Sequence, residues 1–193
     1  MSSEERRQQI IDGATEVLIE KGIVASRMND FIEASGLSKG GVYHHFSSKE
    51  ELMIGVLTHL LVINAESMQA IPDTGSAREQ LILLLQEYEK VIASLAQYNR
   101  LLLDFFVLAP HTPEVSELFK QGYLSFLAKL SGLIQQGIDE GEFKASTNPE
   151  AIARGLQALY DGMGMTMMVV PNLVSFPSDA SETAMTIIAG MCR

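Results

Sequence analysis

Residues 26–52 read SRMNDFIEASGLSKGGVYHHFSSKEEL, and this stretch decides the fold of the chain. Ser26 and Ser38 each stand before a short segment with helical apolar spacing, the place that N-cap residues take at the start of a helix. Gly36 and Leu37 lie between the two segments. A helix-turn-helix needs a turn residue that tolerates positive φ and an apolar residue that holds its helices together. The stretch therefore predicts a helix-turn-helix.

The second helix of this motif carries its polar and apolar side chains on different faces. Val42 and Phe46 are four residues apart, so both are expected to point into the core. Lys39, Tyr43 and His44 then present polar atoms outward. The alternative is that Tyr43 is a core aromatic with only its hydroxyl at the rim, but Val42 and Phe46 already fill the inward face. We therefore expect Tyr43 on the outer surface.

Two consecutive glycines, Gly40 and Gly41, interrupt this helix. Each costs about 1 kcal/mol relative to alanine inside a helix, so a purely structural helix rarely accepts both. Close approach of the backbone to another surface explains them, and a DNA groove suits a surface that also carries Lys, Tyr and His. Lys49, in the first turn of the following helix, adds a cation beside outward-pointing amides and is expected to clamp a phosphate.

The rest of the chain repeats the helical pattern. Apolar residues recur at three- and four-residue spacing, without the alternation that marks strands. Ser2 and Glu5 form a capping-box pattern for a first helix that is expected to end near Gly22. We predict an all-α protein with a three-helix helix-turn-helix DNA-binding domain at residues 1–48. A long helix then joins it to a helical effector-binding and dimerisation domain at residues 49–193.

The charge distribution gives DNA binding modest support. The chain has a formal net charge of -10, which is unusual for a protein that must neutralise phosphates. From Lys21 to Lys49, however, it holds four basic residues against two acidic ones, whereas residues 51–193 hold 8 basic and 16 acidic residues. The predicted DNA-binding surface can be positive while the whole chain is negative.

Composition also restricts the compartment and the chemistry. Cys192 is the only cysteine, so the chain can form neither an internal disulfide nor a thiolate zinc site. The first residues lack the apolar run of a secretory signal, and later apolar stretches are interrupted by Asp, Gly or Pro. His44 and His45 are adjacent and point in different directions, which disfavours a metal site. We expect a cytoplasmic protein without cofactor, metal or membrane contact.

The segment GLSKGGVYHHFSSKEEL, residues 36–52, resembles the DNA-binding signature of the TetR/AcrR family of repressors. The layout of three short helices, a long connecting helix and a helical bundle is similar over the whole chain. The resemblance implies that the third helix enters the major groove, although Gly41 stands where the family usually has Thr. The DNA-contacting residues that it implies are Ser26, Arg27, Ser38, Lys39, Gly40, Gly41, Tyr43, His44 and Lys49.

Two late helices carry apolar stripes that suit a dimer interface. Core packing alone explains either stripe, but a palindromic operator calls for a symmetric dimer, and two such helices from each copy form a four-helix interface. The resemblance favours the interface. The residues predicted for it are Ile152, Leu156, Leu159, Ala184, Ile187, Ile188 and Met191.

Aromatic and methionine side chains in the middle helices, with isolated polar residues, suit a pocket for a lipophilic effector. An ordinary helical core explains any single one of them equally well. A carboxylate such as Asp161 would favour a cationic effector, and Gly155, Gly162 and Gly164 would either open space for it or permit close helix contact. The predicted pocket residues are Tyr88, Phe105, Phe106, Tyr123, Phe126, Tyr160, Asp161, Met163 and Met167.

Together these features predict a transcriptional regulator. It is expected to be a repressor whose homodimer binds double-stranded palindromic operator DNA and is released by a small-molecule effector, with activation as the alternative. An enzyme is disfavoured because the sequence has no glycine-rich phosphate loop, nucleophile elbow or HExxH motif. A helical protein-interaction module is the other alternative, but the paired glycines with Lys, Tyr and His suit a phosphate-lined groove better than an apolar one.

Overall fold

The computed structural model describes residues 2–69, 74–170 and 172–193, with the backbone alone for residues 63–69. In these ranges the regular secondary structure is helical, apart from an isolated antiparallel bridge between Phe143 and Cys192. The all-α prediction is confirmed. In chain order the α-helices are α1 (Ser3–Ala25), α2 (Met28–Ser35), α3 (Lys39–His45), α4 (Lys49–Gln69), α5 (Ala77–Ser94), α6 (Asn99–Leu108), α7 (Pro113–Asp139), α8 (Pro149–Val169) and α9 (Ser178–Met191).

The helices group into two compact units, which do not follow the predicted boundary between residues 48 and 49. The first turns of α4 bury Leu52 and Val56, and Lys49 bonds to the end of α1. The start of α4 therefore belongs with the preceding helices, and α6 joins them. The N-terminal unit comprises Met1–Ile63 and Gln97–Phe119, and the C-terminal unit comprises Asn64–Ala96 and Lys120–Arg193.

The first helix begins and bends where its sequence predicts. The Glu5 amide donates to Ser2 Oγ at 3.1 Å, and the Ser2 amide donates to the Glu5 carboxylate at 2.5 Å, which forms the predicted capping box. Gly22 has a φ of +76°, a value that favours glycine and kinks the helix. The helical backbone resumes after the kink and continues to Ala25.

The position of the helix-turn-helix depends on a close contact between α1 and α2. A Cβ at Gly13 would lie 2.9 Å from the carbonyl carbon of Ala34 and 3.0 Å from the amide nitrogen of Ser35. Gln9 Nε2 also donates to the Ser35 carbonyl at 2.6 Å. Because only a glycine leaves room for this backbone contact, Gly13 holds α2 directly on α1.

The C-terminal unit has a core built from α5, α7, α8 and α9. The turn after α7 closes one end of it: the Phe143 ring occupies the space that a Cβ at Gly137 would fill. In the same turn the Glu142 carboxylate accepts from the Ala77 and Arg78 amides at 3.1 and 3.0 Å, which caps α5. The largest buried side chains of this core include Tyr160, Leu81, Leu84, Leu85, Leu130, Ile134, Leu156 and Ile188.

One helical stretch of the described residues, Ala77–His111, is long and apolar enough to cross a membrane by length and composition, with a mean hydropathy of 1.3. The interruptions of the apolar runs by Asp, Gly and Pro had predicted no such stretch. Leu81, Leu84 and Leu85 in it are fully buried in the protein core. Its apolar composition is therefore accounted for in part by packing within the chain.

Candidate nucleic-acid interface and effector site

The turn between α2 and α3 has the geometry that the sequence predicts. Gly36 ends α2 in the left-handed conformation, with φ of +66° and ψ of 10°. Ser38 caps α3, because its Oγ accepts a hydrogen bond from the Gly41 amide at 3.2 Å. Leu37 is half-buried between them. A glycine turn followed at once by an N-cap fixes where α3 starts and which of its faces points outward.

The two faces of α3 are as predicted. Val42 and Phe46 are 0% and 2% exposed, so they anchor the helix in the core. Lys39, Tyr43 and His44 are exposed, and Tyr43 keeps 42% of its surface. The Lys39 ammonium lies 5.8 Å from the centroid of the Tyr43 ring, within the range of a cation–π contact. Tyr43 is therefore a surface residue rather than a core aromatic.

The paired glycines of α3 differ from each other in their surroundings. A Cβ at Gly41 would lie 3.3 Å from Ser38 Oγ, so the N-cap limits the space there. A Cβ at Gly40 would meet no atom within 4 Å, and Gly40 is exposed. Packing within the described chain therefore does not explain a glycine at position 40.

The structure places Ser26 differently from the expected phosphate contact. Ser26 is 2% exposed, and its hydroxyl donates to the Ile23 carbonyl at 3.0 Å. The residue before α2 is Arg27, whose amide donates to the Asp30 carboxylate at 2.7 Å. Because the Ser26 hydroxyl is turned into the chain, it stabilises the turn after α1 instead of facing solvent.

Lys49 also bonds within the chain, which the sequence analysis did not anticipate. Its ammonium donates to the carbonyls of Ile23 and Ser26, both at 2.6 Å. A cation is favourable beside the free carbonyls at the end of a helix. On the same turn the Asp104 carboxylate accepts from the Ile23 amide at 3.3 Å. Lys49 of α4 and Asp104 of α6 thus both hold the turn that leads into α2.

Three basic side chains are exposed between Lys21 and Lys49, and one of them, Lys21, is paired with a carboxylate. Lys21 donates to Asp30 at 2.8 Å, and this hydrogen bond raises the pKa of Lys21 and lowers the pKa of Asp30. Arg27 and Lys39 are exposed, and no carboxylate of the described residues lies within ion-pair distance of either. The positive charge of this surface therefore comes from Arg27 and Lys39.

The chain matches two families of known proteins over most of its length. Residues 10–56 match the family described as bacterial regulatory proteins, tetR family. Residues 77–193 match the family described as BetI-type transcriptional repressor, C-terminal. The chain belongs to the TetR family. As a TetR-family protein it is a DNA-binding transcriptional regulator, and the whole helix-turn-helix stretch at residues 26–52 lies inside the first match.

Individual relatives support the same assignment. The HTH-type transcriptional regulator YfiR of Bacillus subtilis is 25% identical over 182 residues, which cover 94% of this chain and 86% of that protein. The fatty acid metabolism regulator protein of Bacillus subtilis is 26% identical over 137 residues, 70% of each chain. These relatives extend the match beyond the DNA-binding motif into the C-terminal helices.

Solved structures show the same fold. A TetR transcription regulator from Haloarcula marismortui superposes with a TM-score of 0.89 at 23% identity, covering 98% of this chain and all of that one. A protein from Saccharomonospora viridis, described as a transcriptional regulator in complex with choline, superposes with a TM-score of 0.83 at 19% identity, covering 98% and 99%. The predicted N-terminal helix-turn-helix and C-terminal helical domain are confirmed for this TetR-family chain.

The structure divides the predicted effector residues between the two units. Phe105 and Phe106 lie in the N-terminal unit, where Phe105 is fully buried and Phe106 stacks on Phe119 with ring centroids 4.6 Å apart. Tyr123 lies in the C-terminal unit but is 41% exposed. Phe105 and Phe106 therefore do not belong to the aromatic cluster of the C-terminal unit.

Four predicted effector residues do come together in the C-terminal unit. The Tyr88 ring stacks on Phe126 with centroids 4.1 Å apart and meets the Tyr160 ring edge-on at 5.7 Å. The Tyr88 hydroxyl donates to Asp161 Oδ1 at 3.2 Å. Burial raises the pKa of Tyr88, and partial desolvation of the carboxylate beside Tyr88 raises the pKa of Asp161. Two further predicted residues pack partly buried against the same core: Met163 and Met167.

Sequence reasoning missed Glu89, which lies beside this cluster. Glu89 is only 8% exposed, and its Oε1 accepts from the hydroxyls of Tyr160 at 2.6 Å and Ser181 at 2.5 Å. Burial and the bond to Glu89 raise the pKa of Tyr160, so this hydroxyl stays a protonated donor. The signal in the sequence was a repeated Tyr–acid dipeptide, Tyr88–Glu89 and Tyr160–Asp161.

The predicted dimer residues need correction. Leu156, Ala184 and Ile188 are fully buried in one chain, and Met191 is 4% exposed. These side chains fill the core of the C-terminal unit because the apolar stripes of α8 and α9 face inward, so they cannot form the surface that meets a second copy. The remaining predicted residues are half-buried at the edge of the same core: Ile152, Leu159 and Ile187.

Proposed function

We propose that this TetR-family regulator is a repressor whose homodimer binds a palindromic operator and is released by a small molecule. The observation that supports this DNA-binding surface is the exposure of Gly40. Gly40 lies on α3 beside Lys39, and no atom of the described chain occupies the space of its missing side chain. A glycine that internal packing does not need, on the surface of a helix-turn-helix, fits close approach to DNA.

The exposed residues of the motif divide into two roles in this proposal. Lys39 and Arg27 supply cations for phosphates, while Tyr43 and His44 hold the backbone at the groove edge. Gly40 and Gly41, with Ser38, let α3 approach the bases. In a homodimer the two α3 helices would lie about one DNA turn apart, roughly 34 to 36 Å, so that both half-sites are read together.

Two predicted contacts take a different role. Ser26 and Lys49 bond to the turn after α1, so we infer that they act on DNA binding by holding α2 and α3 in place. The Lys49 ammonium already has two carbonyl partners at 2.6 Å. A direct phosphate contact would draw the ammonium away from these carbonyls and weaken both hydrogen bonds. A positioning role therefore fits Lys49 better.

We infer that the homodimer uses the outer faces of α8 and α9, which adjoin the apolar stripes predicted from the sequence. These faces are exposed and include small residues beside the charged Arg154 and Glu182, and a Cβ at Gly155, Gly162 or Gly190 would meet no atom within 4 Å. Small residues allow helices of two copies to pack closely in a four-helix interface. The proposed interface residues are Ala151, Gly155, Ala158 and Gly162 of α8 with Thr183, Thr186 and Gly190 of α9.

We place the effector in the C-terminal unit, where the aromatic cluster around Tyr88 and Tyr160 lies. The choline complex of the Saccharomonospora viridis protein gives an example of this fold with a small molecule bound. The helix α4 begins in the N-terminal unit at Lys49 and continues into the C-terminal unit. An effector that favours one position of α4 would change the separation of the two α3 helices and lower operator affinity.

A repressor must reach the chromosome, so we propose a cytoplasmic location. The apolar stretch Ala77–His111 fits this location because Leu81, Leu84 and Leu85 contribute to a protein core.

The test of DNA binding replaces Gly40 by glutamine. The added side chain enters open space, so the fold should be retained, but it would block the approach of α3 to the groove. We expect operator affinity to fall by about 100-fold or more, equivalent to about 3 kcal/mol. Fluorescence anisotropy with the DNA flanking the gene, over a salt series, measures this loss and its electrostatic share.

The matched control is Gly132→Gln, because Gly132 is also exposed on a helix with no atom within 4 Å of its missing Cβ. This variant should bind the operator as the wild type does. If Gly40→Gln bound the operator with wild-type affinity and specificity, α3 would not be the surface that contacts DNA.

The test of the dimer replaces Gly155 by arginine. No atom of the described chain restricts this position, so the monomer should fold while the charged side chain separates two copies. We expect the dimer dissociation constant to rise at least about tenfold, equivalent to about 1.4 kcal/mol. Sedimentation equilibrium measures the constant, with Gly132→Arg as the control, and an unchanged dimer would remove α8 from the interface.

A further inference from the structure

A glycine in the interior of α4 lies against the residue that ends α3. A Cβ at Gly55 would lie 2.8 Å from Cε1 and 3.3 Å from Cζ of the Phe46 ring. Gly55 is buried, and Phe46 is only 2% exposed. A Cβ atom does not approach a ring carbon as closely as 2.8 Å, so an alanine at position 55 would displace the ring. The edge of the Phe46 ring therefore occupies the space of the missing Gly55 side chain.

Arg7 of α1 covers the face of the same ring. Its guanidinium carbon lies 5.2 Å from the centroid of the Phe46 ring, within the range of a cation–π contact. The ion pair of Arg7 with Glu4 is long, at 3.9 Å, and the Glu4 side chain is 80% exposed, so this pair restrains Arg7 little. The Phe46 ring thus has Arg7 on its face and the Gly55 backbone at its edge. We call Arg7, Phe46 and Gly55 the Phe46 seat.

Phe46 also fixes the end of α3 through its backbone. Its amide donates to the Val42 carbonyl at 3.0 Å, and its extended conformation, with φ of −138° and ψ of 112°, ends the helix. Ser47 follows, and the Glu51 carboxylate of α4 accepts from both its amide and its hydroxyl at 2.7 Å. The end of α3 is therefore attached to α4 twice, through the Ser47 hydrogen bonds and through the Phe46 ring.

The direction of α3 depends on few anchors, because the helix has only 7 residues. Val42 is fully buried within it, and Phe46 is buried at its end. A displaced Phe46 ring would tilt the exposed face that carries Lys39 and Tyr43. Charge attraction to phosphates tolerates such a tilt, whereas hydrogen bonds to base edges need an exact geometry. The Phe46 seat therefore matters more for binding one sequence than for binding DNA in general.

Helix propensity does not explain the glycine at position 55. Inside a helix glycine is less favourable than alanine, and Gly55 lies one and a half turns after the first residue of α4. Gly13 shows the same use of a helix glycine, because it admits the backbone of α2 to α1. Gly55 admits the ring at the end of α3 to α4. Each short helix of the helix-turn-helix is thus placed by a glycine of a longer helix.

We propose that Gly55 and Arg7 are positioning residues for sequence-specific DNA binding. They hold the Phe46 ring in one place and so set the direction in which α3 meets the base edges, without touching DNA themselves. This proposal rests on the proposed function, because it requires that α3 reads the operator. It adds the residues behind α3 that decide how well the operator is distinguished from other DNA.

The experiment compares Gly55→Ala with the wild-type full-length protein on two DNA duplexes by fluorescence anisotropy at one ionic strength. One duplex is the preferred sequence that the wild type selects from a random library, and the other is a shuffled sequence of the same composition. We expect affinity for the selected duplex to fall about tenfold or more, the effect of one lost base contact. Affinity for the shuffled duplex should change less than about twofold, because phosphate contacts dominate it.

The ratio of the two affinities separates positioning from misfolding. A partly unfolded protein would lose affinity for both duplexes by the same factor. The matched control is Gly132→Ala, because Gly132 is exposed on α7 and a Cβ there would meet no described atom within 4 Å. Its ratio should equal that of the wild type. A wild-type ratio in Gly55→Ala, or an equal loss on both duplexes from a folded protein, would overturn the proposal.

A second substitution at the ring tests whether Gly55 acts through Phe46. Leucine lacks the outer ring carbons that a Cβ at position 55 would displace, so Phe46→Leu should relieve the clash in Gly55→Ala. We expect the double variant to recover the affinity ratio at least about threefold relative to Gly55→Ala alone, a coupling typical of residues in contact. No recovery would mean that Gly55 acts through other atoms and would overturn the proposal.

Arg7→Met keeps the proposal testable if Gly55→Ala does not fold. The Arg7 side chain is 39% exposed, so the fold should tolerate a methionine that removes only the guanidinium. The affinity ratio should fall about threefold, the effect of a lost cation–π contact, with the salt dependence of shuffled-duplex binding unchanged. An unchanged ratio, or a reduced salt slope that makes Arg7 a phosphate ligand, would overturn its positioning role.

Gly40→Gln on the same two duplexes separates this proposal from the proposed function. If Gly40→Gln loses affinity for the selected duplex while Gly55→Ala keeps the wild-type ratio, α3 contacts DNA but the Phe46 seat does not set its direction. If Gly40→Gln binds as the wild type does while Gly55→Ala loses the ratio, the Phe46 seat affects specificity but α3 is not the DNA-contacting surface. The two failures are therefore distinguishable.

Discussion

The exposed face of α3 and the two Tyr–acid pairs of the C-terminal unit, Tyr88–Asp161 and Tyr160–Glu89, have opposite charge surroundings. On α3 Lys39 is exposed beside Tyr43, and no carboxylate lies within ion-pair distance of it in the described structure. In the Tyr–acid pairs Glu89 is buried and Asp161 exposed, and neither has a basic partner among the described residues. One region has a cation without an anion, and the other has anions without a cation.

This difference teaches what each region is suited to bind. A surface with the exposed side chains of Lys39 and Arg27, and with a helix backbone that Gly40 leaves accessible, suits a polyanion such as the DNA phosphate backbone. The Tyr–acid pairs, with two carboxylates and no basic partner among the described residues, would repel such a polyanion. The net charge of -10 does not oppose DNA binding, because the two regions lie in different compact units and most of the acidic excess lies in residues 51–193, which hold 8 basic and 16 acidic residues.

Folding stability is where substitutions in the two regions are expected to differ most. Glu89→Ala leaves the hydroxyls of Tyr160 and Ser181 without an acceptor, and the unfolding free energy should fall by about 2 to 4 kcal/mol. Glu89→Gln keeps an acceptor and removes a buried charge, so its stability should equal the wild type or exceed it by up to about 1 kcal/mol. Urea denaturation followed by circular dichroism measures both values.

The control from the other region is Tyr43→Ala. Tyr43 is 42% exposed and makes no described hydrogen bond, so its replacement should change the unfolding free energy by less than about 1 kcal/mol. If Glu89→Ala were as mild as Tyr43→Ala, the Tyr160 hydroxyl would have found another acceptor. Glu89 would then not be the acceptor that holds the Tyr160 and Ser181 hydroxyls in place.

The helix-turn-helix could be predicted from the sequence because its determinants are local. Gly36 adopts positive φ because it ends α2 at the tight turn. Ser38 caps α3, which begins at the next residue. Val42 and Phe46 are buried as their four-residue spacing predicts. Lys49 and Ser26 were assigned to phosphates because their partners, the carbonyls at the end of α1, become neighbours only when α1 and α4 pack together.

The C-terminal unit was harder to predict because its determinants are non-local. Glu89 was missed, since an acidic residue on a helix usually lies on a solvated face and its partner is 71 positions away. Leu156 and Ile188 were assigned to a dimer because an apolar stripe shows which residues share a face but not whether the face meets its own core. For Gly155 and Gly162 the sequence leaves two roles open, space for a ligand or close helix contact, and the structure shows that both residues are exposed.

A smaller change in stability, measured together with the salt dependence of operator binding, tests the role of Lys49 in the DNA-binding region. Lys49→Met removes two hydrogen bonds from the ammonium to the Ile23 and Ser26 carbonyls, and the unfolding free energy should fall by about 1 to 2 kcal/mol. If Lys49 only holds the turn, the salt dependence of operator binding should keep its slope. A direct phosphate contact would instead reduce that slope by about one. Unchanged stability with a reduced slope would make Lys49 a phosphate ligand and leave Asp104 alone to hold the turn.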